Sequence, residues 1–426
     1  MDYEAVADLG PDRRRALFER MAGVESVRST VRDIVERVRE EGDVALRQYA
    51  SEFDDVELGN VDVTDEAERA YEELDDETRE AIEAAAANVR EFHEAQTPED
   101  WRREFSEGRE LGRRFRPIER VGVYAPGGTA AYPSSVLMGV IPAKVAGVEQ
   151  VAVATPPAEE LNPVTMAAMH VAGADRVYAS GGAQAVAALA YGTETVDRVQ
   201  KIVGPGNKFV TAAKAKVRGD VDIDFLAGPS ELLVVADETA DPGYVAADVL
   251  AQAEHDPDSS VVVVTDDEAT ADAVCEEIEA RIDDRERTET IRDALDNDAS
   301  GVFVARSMSE GVLFAEEYAA EHLSIQAAND EELLDRIDSA GSVFLGPYAP
   351  VAAGDYATGT NHVLPTNGKA KVAGGLSVDT FLRSTTVQRL DESALADLRG
   401  TVTTLAEAEG LDAHAASVDA RFEDDE

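Results

Sequence analysis

The sequence is poor in cysteine and has no long apolar run. Cys275 is the only cysteine in 426 residues and lies in a helical pattern, so disulfides, paired-cysteine redox motifs and cysteine-rich metal sites are excluded. No apolar run comes near the ~18 residues of a membrane-spanning helix, and no charged segment followed by an apolar one opens the chain. We therefore expect a cytoplasmic protein without a signal peptide or a membrane span.

Basic residues are scarce as well, and lysine above all. Lysines and arginines together number 39, only seven of them lysine, against 87 aspartates and glutamates, which gives a net charge of −48. This excess of negative charge argues against nucleic acids and anionic membranes as partners. Because such self-repulsion destabilises a compact fold in dilute salt, we infer a halophilic protein adapted to high ionic strength, where the Debye length is about 3 Å at 1 M salt.

Strands that alternate with helices indicate the fold class. The first hundred residues have helical patterns, such as the stripe of Val31, Ile34, Val35 and Val38. From Arg113 onward, apolar strands such as QVAVAT alternate with helices and glycine loops, and a second alternating run starts at FLAGPSELLVVAD. This pattern predicts an α/β fold with two doubly wound parallel-sheet lobes, a helical N-terminal segment and a C-terminal helical tail.

Three polar residues follow strands of the first lobe at the point where each strand ends. They are Tyr124, Gln184 and Asn207, each beside a glycine-containing loop. The carboxyl ends of parallel strands meet at one edge, where open α/β sheets bind ligands. The dinucleotide fingerprint G-x-G-x-x-G is absent from this lobe. The three residues therefore indicate a ligand site at this edge, the alternative being that each is an ordinary turn residue.

A polar stretch, GDYATGTNHVLPT at 354–366, follows the predicted strand SVFLG. Its glycines, threonines, asparagine and proline predict a long loop that leaves a sheet, a common place for functional side chains. The glycine spacing is that of a phosphate-binding loop, but Thr360 stands at the lysine position, which excludes that motif. The alternative is an ordinary surface loop.

Four of the six histidines lie after residue 250, each with a second potential ligand nearby. Nitrogen and oxygen donors without thiolates suit zinc or a similar divalent ion, although any one pair could be structural, as when a histidine caps a helix. Gln252, His255, Glu321 and His322 fall at helix ends that precede strands, so they share one edge of the second sheet, opposite the usual ligand edge. The pairs are Gln252 with His255, Glu321 with His322, Asp355 with His362, and Glu409 with His414.

Seven segments, taken in order, resemble the histidinol dehydrogenase family: GPGNKFVTAAKAKV, AGPSELLVVAD, DVLAQAEHDPDS, EHLSIQ, GSVFLG, GDYATGTNHVLPT and LAEAEGLDAH. The likeness runs from about Val121 to the C-terminus. It implies a homodimeric enzyme that oxidises L-histidinol through L-histidinaldehyde to L-histidine, the final steps of histidine biosynthesis, with NAD as oxidant in both steps. One departure is Ala320, where the family commonly has proline.

The resemblance implies roles for individual residues in catalysis and cofactor binding. Glu321 and His322 form the implied acid–base pair. A neutral imidazole suits removal of an alcohol proton, so His322 serves the first oxidation. The second oxidation needs an activated water, because Cys275 is misplaced to act as the nucleophile of an aldehyde dehydrogenase, and Glu321 is available for this. The implied NAD contacts are the three edge residues Tyr124, Gln184 and Asn207.

The resemblance also implies one zinc ion per subunit, which acts mainly as a template for the amine and imidazole of the substrate. In the implied homodimer, the C-terminal tail donates two residues to the active site of the partner. The implied zinc ligands are Gln252, His255, Asp355 and His414. The implied substrate contacts are Ser230, Gln252, His255, His322, Asp355, Glu409 and His414, of which Glu409 and His414 come from the tail.

Two other functions would use part of the same pattern. A zinc hydrolase would use the same ligands but leave the three NAD-edge residues without a role. A non-enzymatic nucleotide-binding or scaffold protein would keep the sheets without needing four ligand pairs.

The roles implied by the resemblance divide the chain into four predicted segments. They are an N-terminal helical segment at 1–20, a metal and substrate lobe at 21–123 and 229–375, a Rossmann-like NAD lobe at 124–228, and a C-terminal tail at 376–426.

The charge balance leads to a prediction about salt. With a net charge of −48 and few lysines, the unfolding temperature should rise steeply between dilute buffer and molar KCl, because salt screens the repulsion among carboxylates. Thermal unfolding followed at a series of KCl concentrations measures this. A flat response to salt would contradict the inferred adaptation.

Overall fold

The structure, a computed structural model, describes residues 2–20, 23–127 and 131–422. Part of the predicted glycine loop after Tyr124, at 128–130, lies outside the described residues, as do the last three residues of the predicted C-terminal tail, at 424–426.

The chain divides into two compact units. Unit 1 comprises Met1–Gln96 and Ile118–Phe381, and unit 2 comprises Thr97–Pro117 and Leu382–Glu426. This division reflects compactness, so the four functional segments proposed from the sequence remain a prediction.

Strands and helices are numbered in chain order. The strands are β1 (Tyr3–Ala5), β2 (Trp101–Ser106), β3 (Arg109–Pro117), β4 (Arg120–Tyr124), β5 (Gln150–Thr155), β6 (Arg176–Ala179), β7 (Lys201–Val203), β8 (Asp222–Ile223), β9 (Glu231–Ala236), β10 (Ser260–Thr265), β11 (Gly301–Val304), β12 (His322–Gln326), β13 (Ser342–Leu345) and β14 (Leu382–Leu390). The helices are α1 (Pro11–Phe18), α2 (Arg28–Glu41), α3 (Asp43–Phe53), α4 (Thr64–Glu73), α5 (Asp76–Glu94), α6 (Pro133–Ala146), α7 (Pro163–Ala172), α8 (Gly182–Tyr191), α9 (Lys208–Val217), α10 (Pro242–Ala253), α11 (Glu268–Ile282), α12 (Thr288–Asp296), α13 (Met308–Tyr318), α14 (Asp330–Leu334), α15 (Val351–Tyr356), α16 (Glu392–Ala408) and α17 (Asp412–Asp419).

Strands β4 to β8 form a five-stranded parallel sheet in the order β6-β5-β4-β7-β8. Valine and alanine make its central strands apolar on both faces, and all but the first residue of β5 are buried. Parallel strands need crossover connections, which α6, α7, α8 and α9 include. Strand order reverses at β4, so the expected ligand crevice lies at the carboxyl ends of β4 and β7.

Helix α2 packs against α8 and α9, two helices of the five-stranded sheet. Its predicted apolar stripe, Val31, Ile34, Val35 and Val38, is buried in the same core cluster as Leu189 of α8. The helix ends before a glycine in a conformation with positive φ, as is common at helix C-termini. The apolar stripe therefore joins the N-terminal helices to the core of the first sheet.

A second parallel sheet, of six strands, has the order β1-β11-β10-β9-β12-β13. Strands β9 to β13 repeat the order of the five-stranded sheet, and β1 adds to the edge beside β11. These two doubly wound sheets confirm the predicted fold class. The segment at 1–20 was predicted as helical, but it begins with the strand β1. This strand was not predicted, because three residues are too few to give a periodic signal.

Unit 2 contains an antiparallel sheet in the order β14-β3-β2, together with α16 and α17. Helices were predicted in this tail, and α16 and α17 are present, but β14 was not predicted. Its nine residues, LRSTTVQRL, are mostly polar and mostly exposed, so they lack the alternation of apolar and polar residues that marks a half-buried strand. Within the described ranges, no helix combines the length and apolarity needed to cross a membrane.

Candidate active site

The amino edge of the six-stranded sheet carries several of the predicted site residues. Strand β9 begins at Glu231, directly after Ser230, and β12 begins at His322, directly after Glu321. Since β9 and β12 are hydrogen-bonded neighbours, their first residues lie side by side. Gln252 lies in the last turn of α10, which precedes β10 at the same edge.

The polar stretch at 354–366 differs from the predicted loop at its start. Gly354, Asp355 and Tyr356 form the end of the short helix α15, so the prediction of an all-loop segment was wrong there. A helix of six residues is too short to show a periodic apolar signal, and its turn-forming residues conceal it. The following residues, from 357 to 366, have no helix or strand.

Specific contacts fix the loop that follows α15. Nδ2 of Asn361 donates a hydrogen bond to the carbonyl of Met138 on α6, at 2.8 Å. Gly359 has a φ of +103°, and a Cβ there would overlap the carbonyl group of Asn88 on α5. The loop is therefore held against helices of the first lobe, which gives His362 a defined position.

His322 has one ring nitrogen in a hydrogen bond and the other without a partner. Nδ1 lies 3.1 Å from the carbonyl oxygen of Glu231, and because a carbonyl only accepts, Nδ1 carries the hydrogen and Nε2 presents a lone pair. Nε2 is buried without a hydrogen-bond partner and lies 3.7 Å from Oδ1 of Asp355. Burial lowers the pKa of His322 to about 3, with smaller effects from His362 and His255, so the imidazole is neutral at physiological pH.

Glu321 is buried beside His322, and the backbone of β9 holds its carboxyl group. Oε2 of Glu321 accepts a hydrogen bond from the amide of Glu231 at 2.9 Å and lies 3.7 Å from Nδ1 of His322. Burial, followed by the charge of Glu231, raises the pKa of Glu321 well above the usual carboxyl value. This environment favours a protonated, neutral carboxyl group.

An unusual backbone conformation leads the chain from α13 to Glu321. Ala319 has a φ of +51° and a ψ of +64°, a left-handed conformation that costs a non-glycine residue about 1–2 kcal/mol. Ala320, where proline is common in the family that the sequence resembles, is buried, and its carbonyl accepts from the amide of Gly341 at 2.9 Å. The turn is therefore fixed by burial and by this hydrogen bond without the proline ring.

Asp355 lies between two imidazoles. Its Oδ1 is 3.7 Å from Nε2 of His322 and 3.7 Å from Nδ1 of His362, and Nδ1 of His362 donates to the backbone carbonyl of Asp355 at 3.0 Å. Burial raises the pKa of Asp355 to about 7 and lowers the pKa of His362 to about 4. The sequence pairs His362 with Asp355 but implies no role for this histidine, although their closeness in the chain was the available signal.

Gln252 and His255 supply further donors near this group. Gln252 is 3% exposed, and its Nε2 has no hydrogen-bond partner. Burial lowers the pKa of His255, which favours the neutral imidazole that a metal ligand requires. Because the amide oxygen and nitrogen of glutamine are assigned from hydrogen bonds, the unpartnered end of Gln252 can equally present its oxygen. These donors and Asp355 suit a zinc ion that takes one more ligand from elsewhere.

The predicted metal ligands are divided between the two units. Across the described ranges, no three His, Cys, Asp or Glu side chains are grouped so as to hold a metal ion. Of these residue types, the predicted ligand set has only His255 and Asp355 in unit 1, and His414 belongs to unit 2. Glu409, at the end of α16, is also in unit 2, and both unit 2 residues are exposed. Within unit 1 alone, the ligand set is incomplete.

The three predicted cofactor residues lie at the carboxyl edge of the five-stranded sheet. Tyr124 ends β4, Gln184 lies in the first turn of α8, and Asn207 is the N-cap of α9. The hydroxyl of Tyr124 accepts from the amide of Gly182 at 3.1 Å, and burial raises the pKa of Tyr124 to about 12. Oδ1 of Asn207 accepts from two amides of α9, so its Nδ2 is the group that can donate to a ligand.

A buried ion pair fixes the loop that precedes Asn207. Nζ of Lys214 and Oδ1 of Asp224 are 2.5 Å apart. Nζ also donates to the carbonyl of Gly204 at 2.7 Å, and the amide of Gly204 donates to Asp224 at 2.8 Å. Gly204 has a φ of +108°, and a Cβ there would overlap the carbonyl oxygen of Tyr124. The loop is therefore held against the end of β4, where the strand order reverses.

The segment at 227–231 connects the two edges. The hydroxyl of Thr211 on α9 donates to the carbonyl of Ala227 at 3.0 Å, and the amide of Gly228 donates to the hydroxyl of Thr366 at 2.6 Å. The chain then continues through Ser230 into β9. The segment thus runs from the carboxyl edge of the five-stranded sheet, past Thr366 at the end of the loop that follows α15, to the amino edge of the six-stranded sheet.

Comparisons with known proteins point to one family. The histidinol dehydrogenase family model matches residues 19–422. A histidinol dehydrogenase of Halobacterium salinarum is 78% identical over 425 residues, with 100% of both chains covered. One of Haloarcula marismortui is 73% identical and covers 99% of this chain and 100% of its own.

The fold gives the same result. The crystal structure of a histidinol dehydrogenase from Elizabethkingia anophelis matches with a TM-score of 0.94 and 38% identity, covering 100% of this chain and 98% of that one. The agreement of sequence and structure over nearly the whole length shows that this chain belongs to the histidinol dehydrogenase family.

Proposed function

We propose that this oxidoreductase catalyses the NAD-dependent, four-electron oxidation of L-histidinol to L-histidine by way of L-histidinaldehyde, the final steps of histidine biosynthesis. The observation that supports it most directly is the neutral imidazole of His322, with its unpartnered Nε2 3.7 Å from Asp355, beside the buried Glu321. Proton removal from an alcohol requires an unprotonated base with a free lone pair, and His322 presents one. We further propose that the reaction takes place in the cytoplasm at high ionic strength.

His322 is the proposed base in the first oxidation. Its Nε2 lone pair accepts the hydroxyl proton of histidinol as the hydride leaves the same carbon. The hydrogen bond from Nδ1 to the carbonyl of Glu231 keeps the tautomer in which Nε2 is free, and it stabilises the imidazolium that forms. NAD supplies the hydride acceptor in both oxidations when it is bound.

Glu321 is the proposed base in the second oxidation. The aldehyde must add water before a second hydride can leave, so a base is needed to deprotonate that water. Because the pKa of Glu321 is raised, its carboxyl becomes a base only as the pH rises through this higher value. Cys275 lies on α11, and burial raises the pKa of its thiol, which disfavours the thiolate of a covalent aldehyde mechanism.

A zinc ion, one per subunit, is part of the proposal. The chemistry it would supply is that of a template for the amine and imidazole of the substrate. The unpartnered amide of Gln252 and the neutral imidazole of His255 support this choice of donors. The residues that would hold the ion are Gln252, His255, Asp355 and His414, and the further substrate contacts are Ser230, His322 and Glu409.

The proposed enzyme is a homodimer that binds NAD through Tyr124, Gln184 and Asn207. The position of these three residues at a carboxyl sheet edge where the strand order reverses supports the cofactor assignment. The proposal of a dimer rests on the family resemblance, which assigns His414 and Glu409 to the partner's site; both belong to unit 2, whereas the remaining proposed substrate and zinc residues belong to unit 1. Each tail is proposed to complete the active site of the partner subunit.

The two assigned bases predict different effects on the two half-reactions. Glu321→Gln keeps the shape and hydrogen bonding of the side chain but removes the base. It should slow histidinaldehyde oxidation by roughly 10²–10⁴-fold, the usual share of general-base catalysis, and alter the first hydride transfer much less. His322→Asn should impair both steps. Single-turnover NADH formation from histidinol and, separately, from histidinaldehyde measures each effect.

The pH dependence provides a control for this assignment. In the wild type, aldehyde oxidation should rise with pH as the carboxyl of Glu321 loses its proton, because the buried group has a raised pKa. In Glu321→Gln this dependence should disappear. Equal slowing of both steps by Glu321→Gln would instead make Glu321 a positioning residue and leave His322 as the only base.

The shared active site predicts complementation between two inactive chains. His322→Ala and His414→Ala should each abolish activity alone. Mixed dimers should regain it, because one of their two sites combines an intact His322 with an intact His414 from the other chain. The measurement is NADH formation after the two proteins are unfolded together and refolded. Absence of activity in mixed dimers, with their formation confirmed by differently tagged chains, would contradict a site shared between subunits.

A further inference from the structure

One carboxylate outside the proposed acid–base pair joins several segments of the chain at the amino edge. Glu231, the first residue of β9, is 1% exposed. Its Oε1 accepts from Nε of Arg20 at 2.8 Å, and its Oε2 accepts from Nη2 of Arg20 at 2.9 Å. This is a two-point ion pair between residues 211 positions apart in the chain. It lies in the interior, since Arg20 is 9% exposed.

Arg20 is fixed on its other side by the end of α13. Nη2 donates to the carbonyl of Tyr318 at 3.0 Å, and Nη1 donates to the carbonyl of Leu17. The guanidinium carbon lies 3.7 Å from the centre of the Tyr318 ring, in cation–π contact. These contacts hold the arginine in one geometry, and its two hydrogen bonds to Glu231 in turn fix the position of the carboxylate.

The carboxylate of Glu231 also binds two backbone amides of the active-site region. Oε1 accepts from the amide of Asn367 at 2.7 Å, directly after the loop that carries His362. Oε2 accepts from the amide of Glu321 at 3.3 Å. Asn367 has a φ of +58°, a left-handed conformation that asparagine tolerates better than most residues. One side chain thus joins the N-terminal segment, the end of the loop and the start of β12.

The backbone of Glu231 holds the functional groups of both proposed bases. Its amide donates to Oε2 of Glu321 at 2.9 Å, and its carbonyl accepts from Nδ1 of His322 at 3.1 Å. Any displacement of Glu231 therefore moves the carboxyl group of Glu321 and the ring of His322 together. Active-site groups must be held to within about 0.5 Å of the productive geometry, and a displacement of about 1 Å can cost ~10²-fold in rate.

We propose that Glu231, locked by Arg20, is a positioning residue that sets the geometry of Glu321 and His322 for both oxidation steps. It touches neither substrate nor cofactor and acts through the two bases. The inference rests on the proposed roles of Glu321 and His322. It extends them by assigning the precision of the acid–base pair to a buried ion pair that starts in the N-terminal segment.

The test separates positioning from simple stabilisation of the fold. Glu231→Gln leaves Arg20 without its charged partner, and kcat for histidinol should fall roughly 10–100-fold, the usual effect of removing a residue that orients an active-site group. The KM values for histidinol and NAD should change little, because no contact to either is lost. Full enzyme in molar KCl is used throughout, and far-UV circular dichroism confirms that each variant is folded.

A double variant distinguishes the two roles directly. Replacing both members of a buried ion pair by apolar residues of similar size is often neutral for stability, so Arg20→Met/Glu231→Met should recover most of the unfolding temperature lost in Glu231→Gln. Its kcat should stay low, because no side-chain acceptor for the amides of Glu321 and Asn367 is restored. Recovery of kcat together with stability would overturn the proposal, as would a raised KM with an unchanged kcat.

Arg13→Met is the matched control. Arg13 lies in the same N-terminal segment, bonds to Glu4 and to the carbonyls of Asp298 and Ser300, and has no hydrogen bond to Glu321 or His322. Its loss should lower the unfolding temperature without lowering kcat. His322→Asn, assayed in parallel, distinguishes failure of the proposed function from failure of the positioning role alone. If it keeps full activity, the proposed function itself fails. If it is inactive while Glu231→Gln is fully active, only the positioning role fails.

Discussion

Burial is the constraint on which both proposed bases at the amino edge of the six-stranded sheet depend. His322 and Glu321 are both nearly inaccessible to water, and burial is the largest cause of the shift in each of their pKa values. It favours the neutral form of the acid and of the base alike. Glu231, at the same edge, is paired with the guanidinium of Arg20. Removing one partner of such a buried pair typically lowers the stability of the fold by about 3–5 kcal/mol. The stability of the fold and the positions of the two buried bases therefore depend on the same ion pair.

The two sheets contribute different edges to the proposed site. The five-stranded sheet offers its carboxyl edge, the usual ligand position in open α/β sheets, with Tyr124, Gln184 and Asn207. The six-stranded sheet offers its amino edge, with His322 and Glu321. The rule that ligands bind at the carboxyl edge thus holds for the proposed NAD contacts, whereas the proposed acid–base residues lie at the opposite edge of their sheet. The segment at 227–231 and the fixed loop after α15 connect these edges through hydrogen bonds.

Much of the fold could be predicted from the sequence where elements are apolar and regular. The strand QVAVAT coincides with β5 and the helix KFVTAAKAKV with α9. The polar strand β14, the three-residue strand β1 and the six-residue helix α15 were missed or misread, because periodicity needs length and a buried face. The fold class was therefore accessible from the sequence, whereas short and exposed elements were not.

The candidate site could be predicted only in part, for a related reason. Rare histidines beside acidic residues drew attention to Glu321, His322 and Asp355. Glu231 went unnoticed, although a carboxylate that opens an otherwise apolar strand was visible in SELLVVA. Its partner Arg20 lies 211 residues away, and no local pattern joins residues at that separation. Likewise, the tautomer of His322 depends on a hydrogen bond to the neighbouring strand, which only the folded chain reveals.

The central claim is that one site carries out two successive oxidations of the same substrate. The most direct measurement is the yield of NADH per molecule of histidinol consumed, with zinc, excess NAD and molar salt. The account predicts two molecules of NADH for each histidinol, with histidine as the product. A yield of one, with histidinaldehyde accumulating, would describe a simple alcohol dehydrogenase and would contradict the role of Glu321 in activating water.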